Sequence, residues 1–176
     1  MRKLVLYIAS SVDGYIAAPG DDLGFLAKVE KEGEDYGYAD FIAEVDTVIV
    51  GRRTYDWVMQ HVPEFSHSDK ESYIITRTPQ EGVGNTHFYT GDIGELVQTL
   101  KAKEGGTIFC DGGAEVVHQL LMRGLIDEFV ISIIPTFVGD GTRLFKDGRP
   151  GGDLELVDVK SFDTGLVQLF YRRAGR

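Results

Sequence analysis

The sequence has a single cysteine, Cys110, among 176 residues. No internal disulfide can form, and a reduced, cytoplasmic setting is the expectation. Cys110 lies in an apolar segment and reads as a small core residue. Cations are also scarce: 18 Lys and Arg stand against 28 Asp and Glu, a formal net charge of -10. A nucleic-acid surface needs clustered Lys and Arg, so that class of function is set aside. No apolar run reaches the ~18 residues of a membrane span. The start, from Met1 to Gly14, turns polar too soon for a secretory signal. His61, His67, His87 and His118 are scattered and fall at no metal-ligand spacing, so no metal is expected.

What remains is ordinary for a globular chain: 43% hydrophobic and 26% charged over 176 residues, read as one domain spanning 1–176. Strand and helix signals alternate through the first three quarters. Leu4 to Ser10 is a continuous apolar run, as in a strand covered on both faces. Ser11 to Gly14 turns the chain, Tyr15 to Ala17 follows, and Ala18 to Gly24 is a polar loop, either a lid or plain surface. Tyr36 to Val45 carries Tyr38, Phe41, Ile42 and Val45 at helical spacing, with Asp46 ending it. Thr47 to Val50 is a strand, and a helix follows Gly51. Ser72 to Thr76 and Thr86 to Tyr89 are short strands. A helix capped at Thr90 or Asp92 runs to about Lys103 with Ile93, Leu96, Val97 and Leu100 inward. Thr107 to Cys110 is a strand, Ala114 to Met122 a helix, and Ile126 to Ile134 a strand closed by Pro135. Phe137 to Phe145 is a glycine-rich loop. Leu154 to Phe162 and Leu166 to Arg172 flank the hairpin signal Asp163-Thr164-Gly165. The pattern predicts an α/β fold with a mostly parallel central sheet, flanking helices and a C-terminal antiparallel hairpin.

Two strand-to-helix junctions carry the chemistry. Asp111-Gly112-Gly113 precedes the helix at Ala114, and Gly51-Arg52-Arg53-Thr54 precedes the helix at Tyr55. Glycine lets backbone approach a ligand, and a helix start offers free N–H groups and the positive end of a dipole. Arg adds a planar fork of donors suited to phosphate, and Thr54 can add a hydroxyl at the cap. Either junction alone could be a tight turn; two together suggest a ligand with more than one phosphate. On so acidic a chain the cationic patch must be local, and Arg52, Arg53 and Arg77 could form it.

These pieces, in order, resemble the dihydrofolate reductase-like superfamily, most closely the group related to the RibD C-terminal reductase domain of riboflavin synthesis. The residues that carry the resemblance are Ile8 to Ala17, Val50 to Tyr55, Ile74 to Arg77, Asp111 to Val116, and Leu125 to Glu128 with Pro135 and Gly139-Asp140-Gly141. The resemblance implies an NADPH-dependent reductase acting on a pterin-like or ribosylaminopyrimidine-like small molecule. It places the adenosine 2′-phosphate and part of the diphosphate at Gly51, Arg52, Arg53 and Thr54, with Thr76 and Arg77 bordering the adenosine phosphate. The diphosphate falls to Gly112, Gly113, Ala114, Glu115 and Val116, and the nicotinamide to Ala9, Ile16 and Ala17. It also implies a cis Gly112–Gly113 peptide and a homodimer. The late apolar strands, Phe129 to Ile134 and Leu166 to Tyr171, would then need cover near a sheet edge.

Dihydrofolate reductases anchor the substrate ring with a carboxylate on the first helix. The matching region here offers Asp35 and Asp40, which read equally as solvated helix-start acids. The riboflavin enzymes usually carry Asp-Asp-Pro shortly after the threonine matching Thr54, where this chain has Tyr55-Asp56-Trp57-Val58-Met59. Asp127-Glu128 matches the family pattern and reads otherwise as the charged start of a strand. The alternative to an enzyme is a nucleotide-binding module of the same fold without turnover.

Overall fold

The computed structural model describes residues 1–175. Eight strands form one sheet in the order β5-β4-β3-β6-β1-β7-β10-β9. They are β1 (Leu4–Ser11), β3 (Val45–Gly51), β4 (Glu71–Ile75), β5 (Thr86–Tyr89), β6 (Thr107–Gly112), β7 (Glu128–Ile134), β9 (Leu154–Ser161) and β10 (Val167–Arg173). From β5 to β7 all neighbours are parallel; β10 runs antiparallel to both β7 and β9. A separate antiparallel pair joins β2 (Tyr15–Ala17) to β8 (Thr142–Arg143).

The continuous apolar run of β1 is explained by cover on both faces. On one face Leu4, Leu6, Ile49, Ile108 and Cys110 pack under α3 (Ile93–Ala102) and α4 (Ala114–Met122). On the other, Val45, Val48 and Phe109 pack with Tyr7 and with Phe41 and Ile42 of α1 (Tyr38–Ala43). Val50 and Ile74 pack there with Tyr55, Val58 and Met59 of α2 (Arg52–Met59). α3 forms as its sequence dictates: the Asp92 carboxylate accepts the Glu95 N–H at 3.0 Å, and Ile93, Leu96, Val97 and Leu100 are all buried. Each such side chain contributes roughly 1.5–3 kcal/mol relative to exposure, so Leu100→Ala should cost about 2–5 kcal/mol.

The first helix is shorter than its periodicity predicts. Val45 and Asp46 belong to β3, because Asp46 has a tertiary task. Its carboxylate pairs with the buried Arg2 and accepts the Gly106 N–H at 2.6 Å. Arg2 in turn donates to the carbonyls of Gly106 and Leu100 and to the Thr47 hydroxyl. A 3-10 helix, Gly24–Val29, continues the loop after Ala18, and β8 lies within the segment read as loop. Asp127 is structural: it accepts the Leu4 N–H at 2.8 Å and an ion pair from Lys101.

The late apolar strands do not lie at an edge. β7 lies between β1 and β10, and β10 between β7 and β9, so the edge is β9. Every residue of β9 is exposed. A register shift between Phe170 and Tyr171 pairs Leu156 with Tyr171, Leu154 with Arg173 and Val159 with Leu169. Those partners share one face, so the irregularity gathers Leu154, Leu156 and Val159 into one apolar stripe.

Candidate functional site

β3 and β6 are parallel neighbours, with Val50 opposite Gly112. The helices that follow them, α2 and α4, therefore open at the same end of the sheet. The junctions touch. A Cβ on Gly51 would lie 3.2 Å from Val116 Cγ2 and 3.5 Å from the Gly113 nitrogen, and one on Gly113 would lie 3.1 Å from Thr54 Oγ1. Gly112 has φ +95°, a conformation that favours glycine. The Gly112–Gly113 peptide is cis, as the resemblance implies. Neither α2 nor α4 has a side-chain cap. Their first-turn N–H groups are thus available to an anion. Thr54, expected at the cap, is the third residue of α2, and its hydroxyl faces Gly113. Ala114 and Val116 are core residues, so this motif can meet a ligand only through its backbone. Glu115 instead pairs with Lys146, which holds its carboxyl below the usual range.

The cations flank this cradle, already paired. Arg52 Nε donates to Asp56 Oδ1 at 2.8 Å, and its guanidinium lies over the Phe88 ring at 5.1 Å. Arg53 makes a two-point pair with Asp21, Nε to Oδ2 at 3.0 Å and Nη2 to Oδ1 at 2.8 Å. Asp21 belongs to the Ala18–Gly24 loop, which is thereby tied to α2. The groove between them is lined by Gly20, Asp21, Arg52, Arg53, Trp57 and His61 among others. Because Gly51 pairs with Ile75, Thr76 and Arg77 leave β4 alongside Arg52.

At the ring end, Ala9 packs with Phe25, Leu26 and Tyr36, and Ile16 packs with Ile8 on the α3–α4 side. The two lie on opposite sides of β1. Ala17 is buried, and its carbonyl stands 2.1 Å from where a Gly141 Cβ would be. Only glycine permits that approach. Asp13 fastens the same region: Oδ1 accepts the Val138 N–H at 3.0 Å and Oδ2 the Gly139 N–H at 2.8 Å. Burial acts to raise the Asp13 carboxyl, but hydrogen bonds from the Ser11 hydroxyl, Val138 and Gly139 outweigh it and hold it low.

The α1 acids do not reach this end as ring anchors. Asp35 accepts the N–H groups of Ala39 and Gly37, both at 2.9 Å, and those bonds lower its carboxyl. It closes the start of α1. Asp40 is exposed.

One polar pair had no sequence signal. His67, buried before β4, lies with Nε2 3.3 Å from Oδ2 of Asp111, the residue before Gly112. Tyr38 is nearby: burial, then the Asp111 charge, push its phenol up to about 12. Cys110, on the opposite face of β6, is fully buried, and that burial pushes its thiol up to about 12.

The sheet order and the paired glycine junctions define the reductase fold shared by RibD and dihydrofolate reductase. The chain belongs to the RibD C-terminal domain family, which it matches over residues 2–168. It is 40% identical over 175 residues to the uncharacterized protein YwjB of Bacillus subtilis (strain 168), covering 98% of this chain and 99% of that one. A protein from Shewanella sp. PV-4 named for riboflavin biosynthesis superposes with a TM-score of 0.87 at 26% identity, covering 97% and 98% of the two chains. Dihydrofolate reductase from Enterococcus faecalis, solved with NADP(H), shares the fold at a TM-score of 0.65 and 16% identity, with 98% and 96% covered. Among the described residues no helix is long and apolar enough to cross a membrane.

Proposed function

We propose that this protein is an NADPH-dependent reductase, delivering hydride to a pterin-like or ribosylaminopyrimidine-like small molecule. The observation that carries the reading is the meeting of two uncapped helix starts at Gly51 and Gly113, flanked by Arg52 and Arg53. A cradle that a Cβ would fill, with guanidinium groups at its rim, fits a dinucleotide diphosphate. When bound, the nicotinamide supplies hydride at C4. The protein's own residues bind and orient. The first-turn N–H groups and Thr54 hold the diphosphate, and Arg52 and Arg53 the 2′-phosphate. Thr76 and Arg77 border the adenosine end. Ala9, Ile16 and Ala17 leave room for a flat ring.

The two nicotinamide cofactors differ by one phosphate. On a chain of net charge -10, preference for NADPH must come from local contacts. A charge-assisted hydrogen bond contributes about 1.5–3 kcal/mol, so one lost contact should weaken NADPH roughly ten- to a hundredfold. The test is to titrate NADPH and NADH against wild type, Arg52→Ala and Arg53→Ala. Equal wild-type affinities, or two silent substitutions, would refute the assignment.

A nucleotide-binding module without turnover is the second reading. Asp35, spent on the start of α1, and exposed Asp40 favour it. Absorbance at 340 nm with NADPH and a panel of dihydropterins and ribosylaminopyrimidines separates the two; binding without oxidation on any of them selects the module.

We also propose a homodimer. The apolar stripe Leu154, Leu156 and Val159 on the edge strand supports it, since an uncovered edge of this kind invites pairing. Light scattering at micromolar concentration should give twice the chain mass of 19.5 kDa; a monomer mass would refute it.

A further inference from the structure

A carboxylate beside a phosphate cradle opposes the anion the cradle should hold. Asp111 is such a group. Strand alternation places it with Phe109 on the α1 face of β6, opposite Cys110. Phe109 confirms the face, meeting Phe41 edge-on at 5.1 Å and Tyr7 at 6.3 Å. Among the described residues Asp111 has one side-chain partner, His67, which engages Oδ2. The Asp111 side chain is 29% exposed and that of His67 only 7%. The imidazole is fixed between Phe65 at 5.4 Å and Phe109 at 5.7 Å, edge-on to both. Tyr38 stands within reach of the Asp111 charge. Tyr7 lies 5.8 Å from Tyr38 and stacks on Phe41 at 4.3 Å.

A partly open carboxylate thus stands at the end of an aromatic wall, next to the cradle, with one oxygen held from behind. Planar carboxylates match a fork of two N–H donors, and aromatic walls match a flat ring. The acids expected on α1 are not available for this task.

We propose that Asp111, positioned by His67, is the substrate-recognition carboxylate, accepting N–H donors from a planar heterocycle with an amidine or guanidine edge, such as an aminopyrimidine or aminopteridine. The inference rests on the reductase reading and deepens it. His67 is a positioning residue: its buried N–H sets the carboxylate's rotamer and touches neither substrate nor cofactor.

The test is calorimetric, so that it needs no turnover. With NADPH saturating, 2,4-diaminopteridine is titrated into wild type, Asp111→Asn, His67→Phe and His67→Gln. NADPH is titrated into each separately. Asp111→Asn should weaken the pteridine roughly ten- to a hundredfold, the worth of a charge-assisted pair. It should not weaken NADPH. His67→Phe keeps the ring packing without the N–H and should weaken the pteridine by about three- to tenfold. His67→Gln restores a donor and should recover most of that loss, which a purely structural role would not produce. On the wild type alone, 2,4-diaminopteridine should bind at least roughly tenfold tighter than unsubstituted pteridine, which lacks the donors. Should NADPH bind while Asp111→Asn holds the pteridine as tightly as wild type, the inference is overturned and the reductase reading stands. The same follows if wild type does not discriminate the two pteridines. Equal behaviour of His67→Phe and His67→Gln overturns the positioning role. Failure of wild type to bind NADPH overturns the reductase reading itself, and this inference with it.

Discussion

At Gly51 the chain leaves β3 into two arginines; at Gly112–Gly113 it leaves β6 beside a carboxylate. The two junctions share a geometry, with a glycine, an uncapped helix start and a backbone close enough to touch the other junction. Their chemistry is opposite. The first gathers cations, each already held by an acid, Asp56 or Asp21. The second uses backbone alone toward an anion and turns an acid toward the aromatic wall. The difference implies a division of labour: charge recognition on one strand, close approach and ring recognition on the next.

The largest effect should come from breaking the geometry. Gly112→Val places a side chain at φ +95°, with its Cβ 3.3 Å from Ile8 Cδ1. Backbone strain there costs of order 1–3 kcal/mol, and calorimetry should show a midpoint lower by several degrees, about 2–4 °C per kcal/mol at this size. NADPH and NADH should both weaken by more than about a hundredfold, since a 1 Å misplacement in such a site is that costly. Selective loss of one cofactor would contradict the division.

The next effect tests the cationic side. Arg52 is braced by Asp56 and Phe88 and is 33% exposed; Arg53 is 74% exposed. A pre-ordered donor loses less entropy on binding, so Arg52→Ala should cost NADPH more than Arg53→Ala, by about threefold or more. Fluorescence titration reads the order directly.

Asp13 tests the ring end, away from both junctions. Its folded pKa is depressed, so at acid pH the unfolded chain binds more protons than the folded one. Its contribution is present above the unfolded value of about 4 and is lost as pH falls through the lower folded value. Urea midpoints measured below pH 5 should therefore fall less steeply for Asp13→Asn than for wild type. Identical slopes would show that the carboxylate does not fasten Val138 and Gly139.

The smallest effect concerns the tether on Arg53. Asp21→Ala frees the guanidinium from an exposed pair worth about 0–1 kcal/mol. NADPH should bind up to about fivefold tighter at low ionic strength, and salt should erase the gain. Weaker binding instead would mean that Asp21 holds the loop in a productive place.

The sequence displayed the elements whose stability is local. α4 and β5 occupy the predicted spans, and α3 starts at its Asp92 cap, because capping and apolar period agree there. It misled where a distant partner decides. Asp46 reads as a helix stop until Arg2 is placed against it. The two residues of β8 carry no period and exist because β2 lies opposite; Gly141, pressed against Ala17, was the available sign. The glycine junctions were legible because backbone geometry demands glycine. The pairing of Arg53 with Asp21 and of His67 with Asp111 was not, since these residues are 32 and 44 apart in sequence and no local rule links them.

Cys110 supplies an internal witness to the state of the fold. Its thiol is sealed on the α3–α4 side of β6, two residues from the cradle, and burial keeps it in the unreactive thiol form at neutral pH. A thiol reagent can reach it only when β6 parts from its neighbours. Labelling of this one sulfur, followed over time, therefore clocks the opening of the strand that carries the Gly112–Gly113 junction. A nucleotide that clamps the junction should slow that clock in proportion to its occupancy, whatever the fate of its hydride.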